Sequence, residues 1–137
     1  MPENKTLHSR NEEIVTQFFD FVELHLQNLL NGKETEMFHI KEIAEKLFVS
    51  YGHLTNTVKL VTKHHPCYHY DYKIITLVND LLLNTEKSAS EIARILTFDP
   101  SNFVKFYKNL TGITPTEFRK LKVLPKKLPI EIKKYHQ

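Results

Sequence analysis

The chain has 137 residues, 41% of them hydrophobic, enough for one domain with a packed core or two very small ones. Its single cysteine, Cys67, excludes an internal disulfide and points to a reducing, cytoplasmic setting. The net charge of +3 hides a split: residues 1–37 carry 3 basic and 7 acidic side chains, residues 38–137 carry 16 and 9. A basic body attracts polyanions, of which nucleic acid is the commonest in cytoplasm. The first residues, "MPENKTLHSRNEE", lack the apolar stretch of a signal peptide, and no apolar run is long enough to span a bilayer. Glycine occurs only at 32, 52 and 112, so an all-α fold is expected.

In chain order, residues 1–10 read as a flexible N-terminus. Ser9 to Asn31 reads as one long helix, with Ser9 and Glu12 as a capping box and Gly32 as the stop. Its wide apolar stripe, from Ile14 to Leu30, implies burial on more than one side and permits a homodimer contact. A polar loop, "GKETEM", leads to a helix–turn–helix pattern over about 40–63 and a break at His65-Pro66. "YHYDYKIITLVNDLLLNT" predicts a central helix ending near Asn84, since Ile74, Ile75, Leu77, Val78, Leu81 and Leu82 recur at helical spacing. Ser88 and Glu91 form a second capping box and open another helix–turn–helix pattern, broken by a polar turn at Asp99-Pro100. Thr114-Pro115 opens a last short helix. The subdomains are 11–66 and 87–122, joined by a linker helix within 67–86, with a basic tail at 123–137; about seven helices result.

The two patterns repeat one another 49 residues apart. Glu42, Ile43, Ala44, Leu47 and Lys59 recur as Glu91, Ile92, Ala93, Leu96 and Lys108. Val49, Leu54 and Val58 have apolar counterparts in Phe98, Phe103 and Tyr107. Small Ala44 and Ala93 allow two helices to cross steeply, and the apolar residues lock the second helix back on the first. The outer face of that second helix is then free to enter a major groove. In the first copy it offers Tyr51, His53, Thr55, Asn56 and Lys59; in the second, Ser101, Asn102, Val104, Lys105 and Lys108. Most are hydrogen-bonding types suited to base edges and phosphates, and Thr114 joins them as a candidate DNA contact.

"IKEIAEKLFVSYGHLTNTVK" and "SASEIARILTFDPSNFVKFYKNLTGITPTEFR" make the chain resemble the DNA-binding domain of the AraC/XylS family of bacterial transcription regulators. The run from Phe103 to Arg119 is similar to that family's signature, and the resemblance covers about residues 12–120. It implies two helix–turn–helix units joined by a central helix, with recognition helices in successive major grooves on one side of the duplex. It also implies a sequence-specific transcription regulator whose partners are double-stranded DNA and RNA polymerase. The chain departs from the pattern in places. Phe48 and Thr97 stand where the turns usually have glycine, and Asn56 where arginine is frequent. No basic residue lies near Asn79, and the second turn reads as one residue short. His64-His65-Pro66 replaces the usual glycine break. With no room for a sensing domain, the chain is either a stand-alone DNA-binding protein or the C-terminal part of a longer regulator. These departures motivate the alternative, a degenerate helix–turn–helix interaction module without base readout.

"HHPCYH" puts His64, His65, Cys67 and His69 within six residues, but no second cluster supplies the separated ligand pair that structural zinc needs, so no metal is expected. There is no Gly-rich phosphate loop and no strained serine elbow, so no catalytic residue and no cofactor are expected. Phe103, Phe106, Tyr107 and Phe118 recur at helical spacing and read mostly as core.

Overall fold

Polar caps and prolines set where the helices start. Seven helices lie among residues 7–123, the part of the chain that this computed structural model describes. They are α1 (Leu7–Leu30), α2 (Ile40–Lys46), α3 (Tyr51–Thr62), α4 (Pro66–Asn84), α5 (Ala89–Ile95), α6 (Pro100–Thr111) and α7 (Pro115–Leu121). No strand occurs among the described residues, and the all-α expectation holds. The readings of the first six residues and of the tail beyond Val123, with Lys126 and Lys127, lie outside the described residues.

Each cap satisfies backbone N–H groups that a helix start leaves without partners. Ser50 accepts from the His53 amide, Ser88 from Glu91 and Thr114 from Glu117. Glu91 and Glu117 return the bond to the Ser88 and Thr114 amides at 2.8 Å, closing both capping boxes. Glu42 likewise accepts from the His39 amide at 2.7 Å. A cap of this kind is worth about 1 kcal/mol.

Two boundaries differ from the sequence reading. α1 begins at Leu7, so Ser9 lies inside the helix rather than at its cap; nothing between Leu7 and Ser9 breaks a helix, and such ends shift by a residue or two. Pro66 is not a break but the first residue of α4, capped by His65, whose Nδ1 accepts from the Cys67 amide at 3.0 Å. Proline is at home there because its missing N–H would have no helical partner. The two helix–turn–helix turns are equally long, as the ungapped repeat requires: α2 ends at Lys46 and α3 starts at Tyr51, while α5 ends at Ile95 and α6 starts at Pro100.

One apolar cluster runs through both halves. Phe18 and Val22 of α1 meet Ile43, Leu54 and Val58 in the first half, and Ile92, Leu96, Phe103 and Tyr107 fill the second. Each of these nine is essentially inaccessible to water, and burying such a side chain contributes about 1.5–3 kcal/mol. Helix α1 packs on α3 and α4, while α4 also contacts α5 and α7, so the central helix touches both units. The stripe of α1 is buried at Ile14, Val15, Phe18, Val22, Leu26 and Leu29, but Leu24 stands 60% exposed.

Polar bonds fasten the second unit to α4. The Tyr107 hydroxyl donates to Asn79 Oδ1 at 2.6 Å. Arg119 donates through Nε to the Leu82 carbonyl at 2.9 Å and through Nη2 to that of Thr85 at 3.1 Å. A cation there satisfies orphan carbonyls and complements the negative end of the α4 dipole.

Candidate nucleic-acid interface

The two recognition helices show polar faces because their inner faces are committed to the core. In α3, Leu54, Thr57 and Val58 are buried, leaving Tyr51, His53, Asn56 and Lys59 exposed. In α6, Phe103, Tyr107, Leu110 and Thr111 are buried, leaving Ser101, Asn102, Lys105 and Lys108 exposed. Thr55 and Val104 are half-buried at the edges, and the Thr55 hydroxyl is itself buried without a hydrogen-bond partner. Thr114 is half-buried and caps α7, which occupies its amide and one lone pair of its hydroxyl. Gly52, Leu60 and Asn109 are exposed on these helices as well and were not among the candidates.

Asp99 was missed as a cap because the Asp-Pro pair reads first as a break. Its Oδ2 accepts from the Ser101 amide at 3.2 Å, the Asn102 amide at 3.3 Å and the Ser101 hydroxyl at 2.7 Å. The Ser101 hydroxyl, then the Asn102 amide, hold this carboxyl below its usual range, so a fixed negative charge sits at the start of α6. That charge occupies amides a phosphate would otherwise use, and a carboxylate at a groove is an acceptor suited to a cytosine amino group. Lys105 and Lys108 place positive charge farther along the same helix. Glu91 and Glu117 are held below the usual carboxylate range, chiefly by the Ser88 and Thr114 amides, and serve as caps.

The His/Cys cluster is dispersed by the fold. His64 stacks on Tyr68 with ring centres 4.1 Å apart. His65 caps α4. His69 meets the Phe19 ring edge-on at 5.0 Å, and its Nε2 lies 2.7 Å from the Thr62 hydroxyl. Burial first, then His64 and Lys73, push His69 down to about 4. Among the described residues no three His, Cys, Asp or Glu side chains gather as a metal site requires. No helix among them is long and apolar enough to cross a membrane.

Both turns contain a strained residue. Phe48 (φ 62°) and Thr97 (φ 63°), equivalent in the repeat, adopt the left-handed conformation that favours glycine. The Val49 amide bonds back to the Ala44 carbonyl at 3.1 Å, and Phe98 to Ala93 at 2.8 Å, so each helix end closes only if the intervening residue turns left-handed.

The chain's likeness to known proteins agrees with this geometry. A family model described as a helix-turn-helix domain matches residues 43–121. No curated protein matches the chain. Among solved structures, the C-terminal domain of the two-component response regulator yesN from Fusobacterium nucleatum is 28% identical, with 71% of this chain and 96% of that one covered and a TM-score of 0.58. The C-terminal domain of AraT, a response regulator from Geobacillus stearothermophilus, is 19% identical, covering 89% and 96%, with a TM-score of 0.69. The DNA-binding domain of AdpA, a global transcriptional factor solved in complex with a target DNA, is 18% identical, covering 76% and 90%, with a TM-score of 0.62. A family match over more than half its length, on a fold of two helix–turn–helix units about a central helix, places this chain in the AraC-type helix-turn-helix family of DNA-binding domains.

Proposed function

We propose that the protein is a sequence-specific regulator of transcription that places α3 and α6 in adjacent major grooves of one duplex. The observation that carries this reading is the pair of outward polar faces, Tyr51, His53, Asn56 and Lys59 on α3 and Ser101, Asn102, Lys105 and Lys108 on α6, of which His53, Asn56 and Lys59 match Asn102, Lys105 and Lys108 across the repeat. Lys59 and Lys108 hold phosphates and set register, while Asn56, Asn102 and Lys105 reach base edges. It is a binding module in this reading, with no reaction of its own. RNA polymerase and a second copy meeting it through exposed Leu24 of α1 are the further partners.

The test separates readout from charge. Lys105→Ala is expected to weaken binding to a selected site by about 1–3 kcal/mol and to narrow the gap between specific and random DNA. Lys126→Ala combined with Lys127→Ala is expected to weaken both DNAs alike and to flatten the salt dependence. Equal losses on both DNAs for Lys105→Ala would refute base reading by α6 and favour the interaction-module alternative.

A further inference from the structure

Besides α4, the two units are linked by the loop between α1 and α2. Its Met37 amide donates to Thr97 Oγ1 at 3.1 Å, joining the first unit to the turn of the second. This donor is held still by its neighbour. The Phe38 amide donates to His25 Nε2 at 3.0 Å, and the Phe38 carbonyl accepts from the Tyr70 hydroxyl at 2.7 Å. The Phe38 ring stacks on the His25 ring at 4.3 Å and 3°. His25 is 2% exposed, and accepting at Nε2 leaves its proton on Nδ1, which is buried without a partner. Phe38 is thus fastened at its amide, carbonyl and ring to α1 and α4. On the other side, Thr97 is held left-handed at φ 63°, and its exposed hydroxyl accepts the Met37 amide. An open groove of about 930 Å³ is lined in part by Met37, Phe38, Tyr70, Leu96, Thr97 and Phe106, residues of both units, and the solvent-exposed Met37–Thr97 bond joins two of its lining residues.

We infer that Thr97 is a positioning residue: its hydroxyl clamps the second helix–turn–helix unit to the Phe38 loop and so sets the spacing of DNA elements the protein accepts. This rests on the two-groove reading above, since spacing has meaning only if both helices engage one duplex. A rigid link between two binding elements raises affinity for one separation and penalises the others, whereas a loose link tolerates several. Phe48, at the equivalent position of the first unit, makes no such contact and points to solvent.

The experiment uses two variants that differ by one oxygen. Thr97→Ala removes the clamp acceptor, and Thr97→Ser retains it. Each is measured on duplexes carrying the two selected elements at the preferred spacing and with one or two base pairs inserted or deleted. Thr97→Ala is expected to shrink the preference for the preferred spacing about three-fold, the scale of one net hydrogen bond, with Thr97→Ser close to wild type. In parallel, nitroxide labels at Glu45→Cys in α2 and Lys120→Cys in α7, in a Cys67→Ser background, report the distance between the units without DNA. Thr97→Ala should broaden that distribution and Thr97→Ser should not. An unbroadened distribution, or a broadened one with the spacing preference unchanged, overturns the clamp while leaving the two-groove reading intact. A wild-type protein indifferent to spacing overturns the two-groove reading and the role of Thr97 with it.

Discussion

Replacing Phe48 with glycine should make the protein more stable, although it deletes a large apolar side chain. Phe48 sits at φ 62° with 94% of its surface exposed. A left-handed conformation costs a residue with a Cβ roughly 1–2 kcal/mol, and glycine avoids that cost. At this exposure, removing the ring forfeits almost no buried area. Against the gain stands the extra freedom of glycine in the unfolded chain, about 0.5–1 kcal/mol. The net expectation for Phe48→Gly is about 0.5–1 kcal/mol of added stability. Urea unfolding reads this as a higher midpoint at an unchanged slope, with Phe48→Ala as the control that keeps the strain and loses the ring. The equivalent Thr97→Gly should gain less, because it also deletes the acceptor of the Met37 amide. If Phe48→Gly is no more stable than Phe48→Ala, the turn is not strained in the way its dihedral angle implies.

Arg119→Ala should lower stability by about 1–2 kcal/mol in urea unfolding, because it leaves the Leu82 and Thr85 carbonyls at the end of α4 without their charged donor; an unchanged midpoint would show that water replaces it freely. His69 makes stability fall with acid: its folded value of about 4 lies below the ordinary 6.5, so unfolding takes up a proton between those limits. With solvent screening discounted, wild type should lose about 1 kcal/mol between pH 7.5 and 5 that His69→Gln does not. Parallel pH profiles for the two would contradict that assignment.

The repeat was legible because two physical requirements recur at the same interval. Ala44 and Ala93 allow close crossing, and Leu54 and Phe103 lock each recognition helix inward; all four are buried as the spacing demanded. The cap at Ser88 was legible because its box partner Glu91 stands three residues on, and that at Thr114 because proline follows at the first helical position; the Glu117 half of the Thr114 box emerges from the structure. What escaped the sequence depends on contacts between distant segments. His25 lies in the middle of an apolar stripe, and its partner Phe38 is 13 residues away in a loop, so no local pattern announces the pair. Asn79 looked like a missing basic residue, yet it accepts from the Tyr107 hydroxyl 28 residues on. The roles of Thr55 and Thr114 were not legible for another reason: a threonine on an outer face suits DNA, a cap or a packing edge equally well by sequence. Thr114 caps α7 with its amide and one lone pair of its hydroxyl, and the Thr55 hydroxyl is buried.

Selection of bound sites from random duplex DNA tests the central claim most directly. The two-groove reading predicts an enriched site with two sequence elements about one helical turn, roughly 10 base pairs, apart. It also predicts that the element read by α6 loses definition when Lys105 is replaced by alanine. Failure to enrich any sequence, with binding that is weak and equal on all duplexes, would contradict base reading and leave the fold as a surface for protein partners.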